Sequence, residues 1–274
     1  MSTMRALSFA CGADWLYGVL DVPAKPFRRG VLIVVGGPQY RAGSHRQFTL
    51  LARSLAAQGI AAMRFDYRGM GDSEGSMRDF EIVNDDLRAA IDTFFTEVPD
   101  MKEVVLWGLC DAASAAAMYA ATDARVTGVA LLNPWVRTET GQAKATLKHY
   151  YRARLLDPTL WKKIATLNFD YRAAGRSFAR LMGSASKPAP SGALPERMHA
   201  GLAAFPGQML VMLSGADLTA QEFSDLATAS DDWRALLASS RATRHDLAKA
   251  DHTCSRREWH DQVADWTASW VHDY

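Results

Sequence analysis

The strongest constraint on this chain is a rhythm. Short apolar runs, VLIVV (31–35), IAAMRFD (60–66), EVVLW (103–107) and VTGVALL (126–132), alternate with helical patterns over 45–58, 78–97 and 111–121. Runs without polar alternation belong to strands covered on both faces. Strands separated by helices of this length run parallel, joined by right-handed crossovers. The chain is therefore confined to an α/β fold with a mostly parallel central sheet. Gly59 is placed to cap the first helix, and Phe80, Ile82, Val83, Leu87, Ile91 and Phe94 form the apolar stripe of the second.

Two departures from the rhythm shape the rest. RALSFA (5–10) and WLYGVLDV (15–22) have period-two character around a turn at Gly12–Asp14, which predicts an antiparallel pair at the N-terminal edge of the sheet. The alternation then stops at Asn133-Pro134. No buried strand is expected between about 138 and 205. Helical pieces at 141–155, 158–167 and 170–182 lead into SASKPAPSGALP (184–195). We read 138–205 as an inserted helical cap in a core made of 1–137 and 206–274. MLVML (209–213), a helix over 221–238, TRHDL (243–247) and a closing helix over 256–271 resume the pattern, the last with Trp259, Val263, Trp266 and Trp270 at helical spacing.

Composition narrows the chemistry. A formal net charge of +1 over 274 residues gives no global reason to expect nucleic acid. Cys11, Cys110 and Cys254 are too few and too odd for a disulfide framework, and no CxxC pair suggests a metal. The N-terminus does not read as a signal peptide, and VLIVV is far too short to span a bilayer. The expectation is a cytoplasmic protein without a transmembrane segment, with peripheral membrane contact left open and the oligomeric state unset.

Gly108-Leu109-Cys110-Asp111-Ala112 falls where a strand meets a helix. A sharp nucleophile-bearing turn needs very small residues two places before and after its centre, and Gly108 and Ala112 occupy those places. A helix N-terminus and a nearby imidazolium both favour a reactive thiolate at Cys110; the competing reading is a small buried side chain. After such a turn the order should be acid, then histidine. Asp217, in LSGADLTAQEF, and His252, in KADHTCS, follow strands in that order. Asp217 also fits a helix N-cap. Asp251 reads as a turn residue, and Asp246 is a weaker alternative acid.

Backbone N–H groups of Asp111 and of the loop after VLIVV would make an oxyanion hole. Pro38 has no N–H, so Gly37 is the first donor there and Gln39 the second. The Asp111 carboxylate is expected to point away and pair with an arginine such as Arg41 or Arg46. Tyr40, Arg41 and Trp135 are candidates for substrate contact. RGMGDSEG (68–75) lacks phosphate-loop and dinucleotide spacing and reads as a loop supporting the site. Cys254 reads as core packing, with an oxidative link to Cys110 as the rival.

FDYRGMGDSEG, WGLCDAA, SGAD and DHT, taken in this order, resemble the α/β-hydrolases over nearly the whole length. GGPQYRAGSHRQF (36–48), together with the cysteine turn, resembles the exosortase A system-associated hydrolases of type 1, proteins that accompany bacterial exopolysaccharide and protein-sorting systems. The Cys-Asp-His set also resembles dienelactone hydrolases, which lack a cap of this size. The resemblance implies an α/β-hydrolase fold with a cap and a link to envelope polymer export.

The expected activity is acyl hydrolysis of esters or thioesters by Cys110, His252 and Asp217, with no metal or organic cofactor. Acyl transfer by the same residues, and a non-catalytic role beside an export assembly, are the alternatives. Within 141–190, Lys144, Lys148, Arg152, Arg154, Lys162 and Lys163 are interleaved with Tyr150, Tyr151 and Trp161. Such a stretch suits a solvated face or an anionic acyl substrate, carried on coenzyme A, a sugar polymer or a lipid.

Overall fold

The computed structural model describes residues 2–37, 39–136 and 193–274. The expected cap helices at 141–155, 158–167 and 170–182 lie outside these residues. The chain divides into two compact units, residues 1–135 with 198–274, and residues 136–197. Everything below concerns the first unless stated.

Its frame is an eight-stranded sheet in the order β1-β2-β4-β3-β5-β6-β7-β8. β1 (Thr3–Cys11) and β2 (Asp14–Val22) form the antiparallel edge, paired without a register shift from Thr3 opposite Val22 to Cys11 opposite Asp14. β2 runs antiparallel to β4 (Ala62–Asp66). From there every pair is parallel: β4 with β3 (Arg29–Val34), then β5 (Glu103–Leu109), β6 (Val126–Leu132), β7 (Gln208–Ser214) and β8 (Ala242–Leu247). This is the mostly parallel sheet with an antiparallel edge that the rhythm predicts, and the α/β-hydrolase fold that the resemblance implies.

Period-two alternation distributes the strand residues between two buried faces. Val31, Ile33, Val105, Trp107, Leu210 and Met212 share one cluster with Phe48, Leu51 and Leu55 of α1 (Gln47–Ala57) and Val263, Trp270 and Val271 of the closing helix, Arg257–Asp273. Leu32, Val34, Leu106, Leu131 and Val211, equally buried, take the other face. Gly30 lies on that side, where a Cβ would press to 2.8 Å from Phe94 of α2 (Asn84–Glu97). Full burial of an aliphatic or aromatic side chain contributes about 1.5–3 kcal/mol, so the strands are the stable floor on which the site rests.

The helices differ from expectation in several places. The one expected over 45–58 opens with a 3₁₀ turn, Ser44–Arg46, where His45 and Arg46 are left-handed at φ 53° and 61°, so that α1 begins only at Gln47. The segment read as one helix over 78–97 is a short 3₁₀ turn, Phe80–Ile82, followed by α2. Asp79 caps the turn by accepting from the Glu81 N–H. The expected helix over 221–238 is two, α5 (Leu218–Ala229) and α6 (Asp231–Leu237), after α3 (Asp111–Tyr119) and α4 (Leu194–Ala204). The break falls at Ser230, which is extended and accepts from the Trp233 N–H at 3.4 Å. A serine followed by Asp231 and Asp232 starts a new helix better than it continues an old one. The closing helix, Arg257–Asp273, is α7.

Because β3, β5, β6, β7 and β8 run parallel, their carboxyl ends fall along one edge of the sheet, where open α/β sheets gather their sites. Gly36 and Gly37, Cys110, Asn133, Asp217 and His252 all lie in the segments just beyond those ends. The loop after β4 is braced from both sides. Buried Asp66 accepts from the Arg41 N–H at 2.6 Å and pairs with the Arg41 guanidinium, and Asp86 of α2 accepts from the Arg68 N–H and guanidinium at 2.8–3.0 Å.

Candidate active site

Cys110 sits at the junction of β5 and α3 with φ 62° and ψ −123°. Such a conformation is costly for any residue with a Cβ, and the surroundings hold it. The Cys110 N–H donates to Leu132 O at 2.9 Å, and its carbonyl accepts from Ala113 N at 3.1 Å and Trp135 N at 3.1 Å. Gly108 explains the small residue two places earlier. A Cβ there would lie 2.5 Å from the Ala112 carbonyl carbon and 2.5 Å from the Ala113 nitrogen, both immovable backbone. The thiol is half-buried rather than walled into the core.

Across from the thiol, His252 stands on the loop after β8. Its Nδ1 lies 2.9 Å from Asp217 Oδ2, and the Cys110 side chain is close enough to the same ring to strengthen its hold on a proton. With Nδ1 engaged by the carboxylate, Nε2 is the nitrogen left for the sulfur. Asp217 and Cys110 push the imidazole up to about 10, against the downward pull of burial. A ring that holds its proton at neutral pH sets a positive charge beside the sulfur.

The two readings of Asp217 turn out to be one arrangement. The buried carboxylate caps α5 by accepting from Thr219 N at 3.2 Å and Ala220 N at 3.1 Å, while Oδ2 also meets His252. The helix cap fixes the carboxylate, and the carboxylate fixes the ring. Asp251 is the expected turn residue, accepting from Thr253 N and Ser255 N, and Asp246 pairs with Arg244. Cys254 is buried, its sulfur 3.8 Å from Ser214 Oγ; burial pushes its thiol up to about 11.

Several expected contacts are arranged differently. Asp111 does not point away, and neither Arg41 nor Arg46 pairs with it. Its Oδ2 accepts from Gly37 N at 2.7 Å and its Oδ1 from Ala112 N at 2.9 Å. Gly37, the first expected oxyanion donor, is thus engaged by a carboxylate of the chain itself. Arg41 is held by Asp66 and Asp72, so its guanidinium is committed to bracing the loop after β4. Gln39 turns its side-chain oxygen to the Ser44 N–H at 3.2 Å. Tyr40 is 52% exposed, and Trp135 is clipped by its backbone to Cys110 and Ser114.

One positioning residue escaped the sequence reading. Asn133, fully buried with φ 48°, donates through Nδ2 to Ser214 Oγ and to the His252 carbonyl, both at 3.0 Å, and accepts from Ser214 N at 2.8 Å. It ties the ends of β6 and β7 to the histidine loop. The available signal was an asparagine before proline at a strand's carboxyl end, where a polar side chain needs buried partners. Among the described residues, no cluster of histidine, cysteine or carboxylate side chains could hold a metal, and no helix is long and apolar enough to cross a membrane.

Comparison with known proteins follows the same lines. Residues 28–181 match the protein-family model described as serine aminopeptidase, S33. No curated protein sequence matches the chain. Among solved structures, the Pyrococcus furiosus esterase is similar at TM-score 0.66 and 13% identity, covering 98% of this chain and 94% of that one. The esterase domain of a Rhodothermus marinus protein is similar at TM-score 0.62 and 17% identity, with 98% of each chain covered. A Xanthomonas campestris α/β serine hydrolase without a lid follows at TM-score 0.59 and 17% identity, covering 99% of this chain and 96% of that one. At these identities the likeness is one of fold.

Proposed function

The chain belongs to the serine aminopeptidase S33 family of α/β-hydrolases, and from that premise we propose that it cleaves esters or thioesters with the thiol of Cys110 where the family's name specifies serine. The observation that carries this reading is the relay from Asp217 Oδ2 to His252 Nδ1 at 2.9 Å and on to the Cys110 thiol.

The steps follow from the groups at hand. Cys110 Sγ attacks the acyl carbon, a C–S bond forms, and the carbonyl π pair moves to oxygen. His252 holds the thiol's proton and gives it to the leaving alcohol or thiol as the bond to the acyl carbon breaks. An acyl-thioester remains on Cys110. Water then attacks it, yields a proton to His252, and expels the sulfur as the acid departs. Asp217 keeps the ring oriented throughout and offsets its charge. A thioester intermediate is also open to amines and alcohols, so transfer to an acceptor uses the same residues.

The substrate class rests on less local features. Basic residues interleaved with aromatics between 141 and 190 support an anionic acyl donor such as an acyl-coenzyme A, an acidic sugar conjugate or a lipid. The stretch 138–205 is read as the cap that supplies them. The likeness of GGPQYRAGSHRQF to exosortase-associated hydrolases supports a role beside exopolysaccharide export, on the cytoplasmic side of the envelope.

A second reading, a binding partner that keeps the fold without turnover, is favoured by the engagement of Gly37 N–H by Asp111. The two separate on one experiment. Incubation with a long-chain p-nitrophenyl ester or an acyl-coenzyme A, followed by intact-mass analysis, should show an acyl adduct that disappears in Cys110→Ala. Asp217→Asn should slow its formation by roughly 10²–10⁴-fold. No adduct, with the thiol still open to alkylation, would favour the binding role.

A further inference from the structure

The Asp111 carboxylate lies where an acyl-transfer site keeps room for a developing oxyanion. Gly37 N, on the loop after β3, donates to Oδ2 at 2.7 Å. It is one of the backbone donors that the fold aligns beside the nucleophile. Ala112 N holds the other oxygen at 2.9 Å. Gly36 leaves the space: a Cβ there would overlap Asp111 Oδ1 and come 2.7 Å from Ala112 N. The cradle is thus shaped to a two-oxygen anion and already contains one.

We infer that Asp111 is a built-in occupant of the oxyanion site, so that a substrate's carbonyl oxygen gains Gly37 N–H only by displacing this side chain. The inference rests on the proposed acyl chemistry of Cys110 for its meaning, and on the Asp111 contacts alone for its geometry. Burial pushes the Asp111 carboxyl above the ordinary carboxylate range, as does the charge of Asp79, while the backbone donors pull it down; Tyr67, itself raised by burial and by Asp111, is the other titratable group facing it. Remote contacts can drive the displacement for a large acyl donor, because binding energy gained away from the reacting bond can be spent at it. A short ester has no such contacts, so the resting side chain discriminates against it.

The test uses butyrate, a product-like monocarboxylate, titrated calorimetrically into the wild-type protein, Asp111→Asn and Asp111→Ala, each confirmed as folded by its thermal transition. Asparagine keeps an acceptor over the donors but no charge; alanine empties the cradle. The expected order of affinity is alanine over asparagine over wild type, with alanine at least about tenfold tighter than wild type. Equal affinity in the two variants would mean that only charge was removed, and unchanged affinity throughout would mean that the donors were never occupied; either overturns the inference. The rate of acyl-adduct formation from p-nitrophenyl butyrate is read in parallel, with a gain of roughly a hundredfold expected for Asp111→Ala. The predicted affinity order without any Cys110 adduct would sink the catalytic reading and leave the occupancy standing. Adduct formation in all three proteins with unchanged butyrate affinity would do the reverse.

Discussion

At the scale of single residues, the site is governed by one imidazole. His252 is raised from its ordinary 6.5 to about 10 by Asp217 and Cys110. The folded protein therefore keeps this proton across a window in which the unfolded chain has released it. Its contribution to stability is fully present below about pH 6.5 and is lost as pH rises toward 10. The melting temperature of the wild type should accordingly fall relative to that of His252→Gln between pH 6 and pH 10, and parallel curves would refute the pairing. Cys110, Asp217 and His252 were legible because each is marked by spacing: small residues about a turn, then acid and histidine beyond later strands. Asp111 was misread because sequence does not tell which way a side chain at a helix N-terminus swings. Arg41 was misread because its true partner, Asp66, belongs to another strand end 25 residues away. Asn133 was passed over because a buried asparagine is defined by partners, Ser214 and the His252 carbonyl, that only folding brings near.

At the scale of elements, the loops that bear the site are pinned by a few buried polar contacts. Asp86, fully buried on α2, takes three hydrogen bonds from Arg68. Removing one member of such a pair strands the other's charge, so Asp86→Ala should destabilise the protein by about 3–5 kcal/mol in denaturant titrations. Asn133→Ala should cost about 1–3 kcal/mol by leaving Ser214 N–H without its acceptor, and should lower kcat more than it raises KM, because the histidine loop loses its tether. Equal loss in both constants would point to general loosening instead. Strand positions were readable because burial on both faces leaves an unbroken apolar run. The helix over 221–238 was read as continuous because its apolar periodicity carries across Ser230, and periodicity does not register a local cap.

For the whole molecule, the mostly parallel sheet and its antiparallel N-terminal edge follow from strand–helix alternation and handed crossovers and were readable in the sequence; the order of the strands, with β4 between β2 and β3, was not, because no local pattern says on which side of β3 the next strand pairs. The consequence of that sheet is that six parallel strands deliver their ends to one edge, which lets residues as far apart in sequence as Gly37 and His252 share a site. The left-handed turn at Cys110 has a consequence for the entire chain as well. A Cβ in that conformation costs on the order of 1–3 kcal/mol, part of which glycine gives back through its freer unfolded state. Cys110→Gly should therefore melt higher than the wild type, by about 2–4 °C for each kcal/mol recovered. Durability and a reactive thiol would therefore pull in opposite directions at this one position: the glycine variant would be the hardier protein and the one without a nucleophile.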